Sequence, residues 1–171
     1  ILDLGANVDC RPEQLGQFAV MGQVFARDVQ GIANPRIGLL SNGEEAGKGN
    51  AQVQAATEVL AKLPLNFVGQ VEPTEAFRGA CDVLVCDGFV GNVMLKAVEA
   101  TVQIVSKVLK EEILRRPSAK FGAWLISGAF RRFRSRTEYA AIGGAQLLGV
   151  DGVVIVGHGR ADAEAVASAI H

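Results

Sequence analysis

Hydrophobic and polar positions along the chain alternate between two periods. Short continuous apolar runs, of the kind that form strands buried on both sheet faces, are followed by stretches in which apolar residues recur every three or four positions, the helical spacing. Ile1–Leu4 reads as a strand that enters the turn Gly5-Ala6-Asn7, and Pro12 suits the first position of a helix carrying Leu15, Phe18, Ala19, Gly22 and Phe25. Ile37–Leu40 repeats the arrangement, running into SNGEEAGKGN and then a helix with Val53, Ala56, Val59 and Leu60 that Pro64 stops. Asn66-Phe67-Val68 predicts a further strand, and Glu72–Gly79 a short helix. Asp82–Cys86 holds a short continuous apolar run of the kind that forms a strand buried on both sheet faces. Gly88 and Gly91 then bracket a turn, Asn92 is placed to cap, and a long helix runs through Leu95, Val98, Val102, Val105, Leu109 and Ile113. Val153–Val156 predicts another buried strand, which passes through Gly157-His158-Gly159 into an alanine-rich helix from about Asp162 to Ile170.

Strands alternating with helices imply an α/β protein with a mainly parallel sheet covered on both faces. Ligands bind such sheets at the carboxyl ends of the strands, and here four strand ends carry small or polar turns: GAN, SNGEEAGKGN, DGFVGN and GHG. Their convergence on one edge is the main structural expectation. Residues 115–139 differ in kind. Pro117 breaks the long helix, Ser118 is placed to cap a new one, and FGAWLISGAF is followed by RRFRSR. Phe121, Trp124 and Leu125 share one side of a helical wheel, and Ile126, Phe130 and Phe133 another. A helical hairpin with its tip near Ser127-Gly128 accounts for both sets. Its apolar residues beside Arg115, Arg116, Arg131, Arg132, Arg134 and Arg136 suit a membrane surface or an acidic protein, with a dimer or domain packing surface as the plainer reading.

At 171 residues and 49% hydrophobic, the chain is expected to form one domain with a substantial core, with the hairpin as an insertion over about 93–140. Seventeen lysines and arginines against 18 acids, a net charge of −1, give no reason to expect nucleic acid as a partner. Cys10, Cys81 and Cys86 form no CxxC pair and accompany no histidine cluster, so free thiols in a reducing compartment and no metal site are expected. No apolar run reaches the roughly 20 residues of a membrane span, and the expectation is a soluble protein.

Candidate chemistry gathers in the glycine loops. A strand, glycine loop and helix leave backbone N–H groups and the positive end of a helix dipole facing one space, an anion site, and Lys96 in the first turn of that helix fits an anion nearby. In GEEAGKGN the spacing from Gly43 to Lys48 is one residue short of a nucleotide-binding P-loop, and Gly49 stands where a hydroxyl would hold magnesium, so nucleotide hydrolysis is set aside. Lys48 between two glycines suits a site better than a packing role, although a solvated loop lysine has the same sequence. Asn92 is read as a cap or a functional amide and Asn7 as a turn residue or a functional one. Asp87 either bonds the loop backbone or orients a site group. His158 serves as a general base or only its own turn, and Cys86, inside an apolar strand with no base in view, reads as a structural thiol rather than a nucleophile.

Taken in order, LDLGANVDC, PRIGLLSNGEEAGKGN, NFVGQVEP, CDVLVCDGFVGNVMLK and IGGAQLLGVDGVVIVGHG closely resemble the later part of the PlsX family, the acyl-acyl carrier protein:phosphate acyltransferases. The resemblance implies a three-layer α/β/α fold like that of isopropylmalate dehydrogenase, and an earlier segment with a DAMGGD-type motif that does not occur in these 171 residues. It implies transfer of a fatty acyl group from acyl carrier protein to inorganic phosphate for phospholipid synthesis, without metal or nucleotide cofactor, by a cytoplasmic homodimer associated peripherally with the membrane. By motif it places Lys48 and Asn92 as catalytic. Asn42, Gly43, Gly47, Gly49, Asp87, Gly88, Phe89, Gly91, Lys96 and His158 then bind substrate, and Trp124, Leu125, Arg131, Arg132, Arg134 and Arg136 face carrier or membrane. The alternatives are a catalytically incomplete fragment acting in ligand binding or dimerisation, and a peripheral membrane-binding module.

Overall fold

The structure is a computed structural model that describes residues 1–45, 47–130, 132, 144–157, 159 and 161–170. The chain divides into two compact units, Ile1–Thr101 and Val102–His171. The first is α/β. Its elements are α1 (Pro12–Asp28), β1 (Arg36–Leu40), α2 (Ala51–Leu60), β2 (Asn66–Val71), α3 (Pro73–Phe77), β3 (Val83–Val85) and the start of α4 (Gly88–Arg115). Pro12 takes the first position of α1, and Asn50 caps α2 by accepting from the Val53 amide at 2.9 Å.

The three strands are parallel in the order β2-β1-β3. Ile37 pairs with Phe67 but Gly38 with Gly69, so Val68 bulges out, helped by Gly69 at φ +98°. The strand expected at Ile1–Leu4 shortens to one parallel bridge, Leu2 to Val85. It is held to β3 by Leu2 N to Leu84 O, Cys86 N to Leu2 O and Asp3 N to Cys86 O, each 2.9 Å.

Period-two alternation sorts the strand residues onto two faces. Ile37, Leu39, Val83 and Val85 form one core with Leu15, Phe18 and Ala19 of α1 and Ala56 and Leu60 of α2. Leu40, Val71, Leu84 and Cys86 form another, against which Ala76 of α3 and Met94 of α4 pack. β1 therefore continues into a helix on one face and β3 into a helix on the other. That divergence opens a crevice at the carboxyl edge between them, the usual ligand position in such sheets.

The second unit holds the rest of α4, α5 (Pro117–Leu125), an antiparallel pair β4 (Gly144–Gln146) and β5 (Ile155–Gly157), and α6 (Ala163–Ile170). Three expectations change here. Val153–Val156 is not a buried parallel strand: β5 starts at Ile155, pairs antiparallel with β4, and Val153 is 80% exposed. Pro117, not the residue after Ser118, opens α5, so Arg116 holds the cap position, and the helix ends at Leu125, two residues before the expected tip at Ser127-Gly128. Finally, α4 at 28 residues is long and apolar enough, by length and composition alone, to cross a membrane, contrary to the expectation that no such segment exists. Its first turns nonetheless pack into the first unit, where Gly88 and Gly91 are buried.

Candidate active site

The carboxyl ends of β1, β2 and β3 meet at a cleft of about 830 Å³. Ser41 and Asn42 enter it after β1, Glu72 after β2, and Cys86 and Asp87 after β3. Leu15, Leu39 and Leu40 form an apolar floor, Gly49, Asn50, Gln52 and Val53 one wall, and Pro73, Val90, Val93 and Met94 the other. Of the sequence-predicted site residues, Asn42, Gly49 and Asp87 therefore share one space. Glu72, Asn50 and Gln52 also reach it and were not singled out from sequence. Asn50 is legible as a helix cap and Gln52 carries no motif, so only the fold discloses that they face the cleft.

The loop that follows β1 closes on itself. Gly49 N donates to Asn42 Oδ1 at 2.9 Å, Gln54 Nε2 donates to the Gly47 and Gly49 carbonyls at 2.8 and 3.2 Å, and the Gln70 amide, with its nitrogen turned toward them, meets the Gly43 and Lys48 carbonyls at 3.2 Å each. Gly47 and Gly49 have φ of +91° and +81°, where an L side chain is strained. A Cβ on Gly43 would sit 2.8 Å from Lys48 Cγ and 2.9 Å from Glu45 Oε2, so the lysine stem lies over Gly43 beside the Glu45 carboxylate. Lys48 is exposed, and among the described residues its ammonium has no ion-pair partner.

The start of α4 differs from the expectation in three respects. Asp87, not Asn92, caps it: Asp87 Oδ1 accepts from Val90 N at 2.8 Å, and the helix begins at Gly88. The amides proposed as an anion cradle are largely engaged, because Gly88 N donates to Asn7 O at 2.7 Å and Gly91 N to Asp87 O at 3.0 Å. Lys96 then lies beyond the second turn and pairs with Glu99 at 2.9 Å, so it needs no external anion.

The two glycines instead allow close packing of the GAN turn. Cβ atoms at Gly88 and Gly91 would collide with the backbone of Asn7 and Asp3 respectively. Asp3, buried, organises that turn: its carboxylate accepts from Ala6 N at 3.1 Å, Asn7 N at 2.6 Å and Asn7 Nδ2 at 3.0 Å. Asn7 thus serves its turn. Asn92 is exposed in the second turn of α4 with its amide near Gly5, and it does not line the cleft. Phe89 is 59% exposed.

Cys86 is 4% exposed, and burial, reinforced by the nearby Asp87 charge, pushes its thiol up to about 12. It is protonated at neutral pH and is no nucleophile. His158, Arg131, Arg134 and Arg136 lie outside the described residues, as does the centre of the GHG turn. Arg132 is described and exposed. Phe121 and Trp124 stack with ring centroids 5.9 Å apart, and both stay more than 60% exposed, as does Leu125.

The chain is 48% identical over 170 residues to a phosphate acyltransferase of Pelobacter propionicus, covering 99% of this chain and 49% of that protein. It is 51% identical over 170 residues to the phosphate acyltransferase of Pelotomaculum thermopropionicum, with 99% and 50% covered, and 46% identical over 171 residues to that of Geobacter sulfurreducens, with 100% and 49% covered. The chain thus spans about half the length of these curated relatives. The family profile described as "Fatty acid synthesis protein" matches residues 1–171. An α/β unit with its crevice at the carboxyl edge, matched from end to end by that profile, makes the chain a member of the fatty acid synthesis protein family.

Proposed function

We propose that the chain carries the site of a phosphate acyltransferase that moves a fatty acyl group from acyl carrier protein to inorganic phosphate, forming acyl phosphate for phospholipid synthesis. The observation that carries this reading is the cleft itself: an aliphatic floor for a methylene chain, an amide rim of Asn42, Asn50 and Gln52 for a polar head, and beside it a clipped glycine loop bearing the exposed Lys48. A phosphate oxygen attacks the thioester carbonyl, the carbonyl electrons move onto oxygen, and collapse of the tetrahedral oxyanion expels the carrier thiolate, which takes up a proton. Phosphate is itself the nucleophile, so no covalent enzyme intermediate is needed. Lys48, beside the cleft, orients phosphate and offsets its charge, and the oxyanion takes its donors from the amide rim, because Asn92 lies outside the cleft. Gly43, Gly47, Gly88 and Gly91 act by allowing the loops to approach closely.

The working form in this proposal is a homodimer with the three-layer isopropylmalate dehydrogenase-like fold, on the cytoplasmic face of a membrane. The exposed Phe121, Trp124 and Leu125 support a contact with lipid or carrier. The test is phosphate-dependent release of carrier thiol from acyl carrier protein thioester. Lys48→Ala should lower the rate at least 100-fold, the scale of one lost charge-stabilising group. Equal rates in wild type and variant would overturn the site assignment, and a wild-type chain that binds thioester without turnover would favour the incomplete-fragment reading.

A further inference from the structure

Three side-chain amides hold the glycine loop that bears Lys48, and they do not hold it in the same way. Asn42 and Gln54 are exposed and bond Gly47 and Gly49 from at most seven residues away, so they shape the loop without fixing where it lies on the sheet. Gln70 comes from β2, where it pairs with Leu39 of β1, and is half-buried. Its amide nitrogen faces the Gly43 and Lys48 carbonyls at 3.2 Å each and Ser41 Oγ at 2.8 Å, and its oxygen stands 3.2 Å from Thr57 Oγ1 of α2. Carbonyl oxygens can only accept, so that side of the amide is the donor. One side chain thereby ties both ends of the loop to the end of β1 and to the helix that follows. The frame is itself fixed, since Ser41 is buried and its backbone N–H donates to Val71 O at 3.0 Å. Gln70 does not line the cleft, so any effect it has on chemistry there passes through Lys48.

We propose that Gln70 is a positioning residue that fixes the Lys48 loop beside the cleft; that the ammonium so placed holds phosphate rests on the acyl-transfer reading above. The test is hydrogen exchange, followed by mass spectrometry of peptides covering residues 42–50, with inorganic phosphate titrated from zero. Gln70→Met keeps the length of the side chain and loses its donors, and Gln70→Glu keeps its shape but is ionised at neutral pH and cannot donate. In each variant the loop amides should exchange about tenfold faster than in wild type, the scale of one or two neutral hydrogen bonds lost, while peptides of α1 keep the wild-type rate. Phosphate should slow the wild-type loop, and half-protection should need about tenfold more phosphate in either variant. Wild-type loop exchange in a variant whose α1 stays protected overturns the proposal. So does faster exchange with an unmoved phosphate midpoint, the result of a bond that serves stability alone. Faster loop exchange in the variants, with no effect of phosphate on wild type, would sink the phosphate site of the transfer reading while sustaining the hold of Gln70 on the loop.

Discussion

Gly91→Ala offers a quantitative probe of how the site is assembled. In an isolated helix the change would stabilise α4 by about 1 kcal/mol, because alanine has the higher helix propensity. Here the added Cβ would overlap the Asp3 carbonyl oxygen and come within 2.8 Å of Cys86 Sγ. Neither neighbour yields easily. Asp3 belongs to a segment tied to β3 by three backbone bonds of 2.9 Å, and its side chain organises the GAN turn. Overpacking against fixed backbone costs typically about 1–3 kcal/mol, and each ladder bond lost in the adjustment about 1 kcal/mol more. The overpacking term and one such bond, against the favourable propensity of about 1 kcal/mol, give a net destabilisation of about 1–3 kcal/mol. Gly122, in α5, is the control, since a Cβ there meets nothing within 4 Å. Urea unfolding followed by circular dichroism should therefore show a lower midpoint for Gly91→Ala and an equal or higher one for Gly122→Ala. A Gly91→Ala chain as stable as wild type would refute the close-approach account of this glycine.

Two further outcomes follow from electrostatics. Asp82 accepts from Arg36 Nε at 3.0 Å, from Nη2 at 2.9 Å and from the Arg36 amide at 2.8 Å, and this guanidinium holds the carboxyl below its usual range. A folded-state value below the unfolded one of about 3.9 makes the contribution present above that pH and lost as pH falls through the folded value. Asp82→Asn should therefore lower the urea midpoint at pH 7, with the gap closing below about pH 4; a gap of constant size down to pH 2 would contradict this. At pH 8 a thiol at about 12 is ionised to about 1 part in 10⁴, so iodoacetamide should modify the less buried Cys10 and Cys81 well before Cys86 in the native chain. Peptide mapping that found Cys86 labelled first would show the strand end to be open.

The local signals that proved sufficient are those whose physics is local. Pro12 has no amide to lose at a helix start, and Asn50 reaches an amide three residues on, so α1 and α2 begin where the sequence places them. The apolar runs of β1 and β3 likewise mark strands covered on both faces. The misplaced start of α4 has a tertiary cause. Gly88 and Gly91 look like turn residues, but they are helical because the chain from Asp3 to Asn7 packs against their missing side chains, and that contact spans more than 80 residues of sequence. The residue left to cap is Asp87.

What the sequence by itself determined was the alternation of strand and helix, the ranges of most elements in the first unit and the placing of polar turns at strand ends, because periodicity and capping act within a few residues. Only the tertiary structure decided which donors remain at those turns. Asn7 takes the Gly88 amide, Glu99 takes the Lys96 charge, and the helices after β1 and β3 leave on opposite faces, so the space at the sheet edge is an aliphatic cleft with an amide rim rather than a ring of open N–H groups. Hydrogen bonds and charges are satisfied by whichever partners the fold brings near, and sequence spacing does not encode those partners.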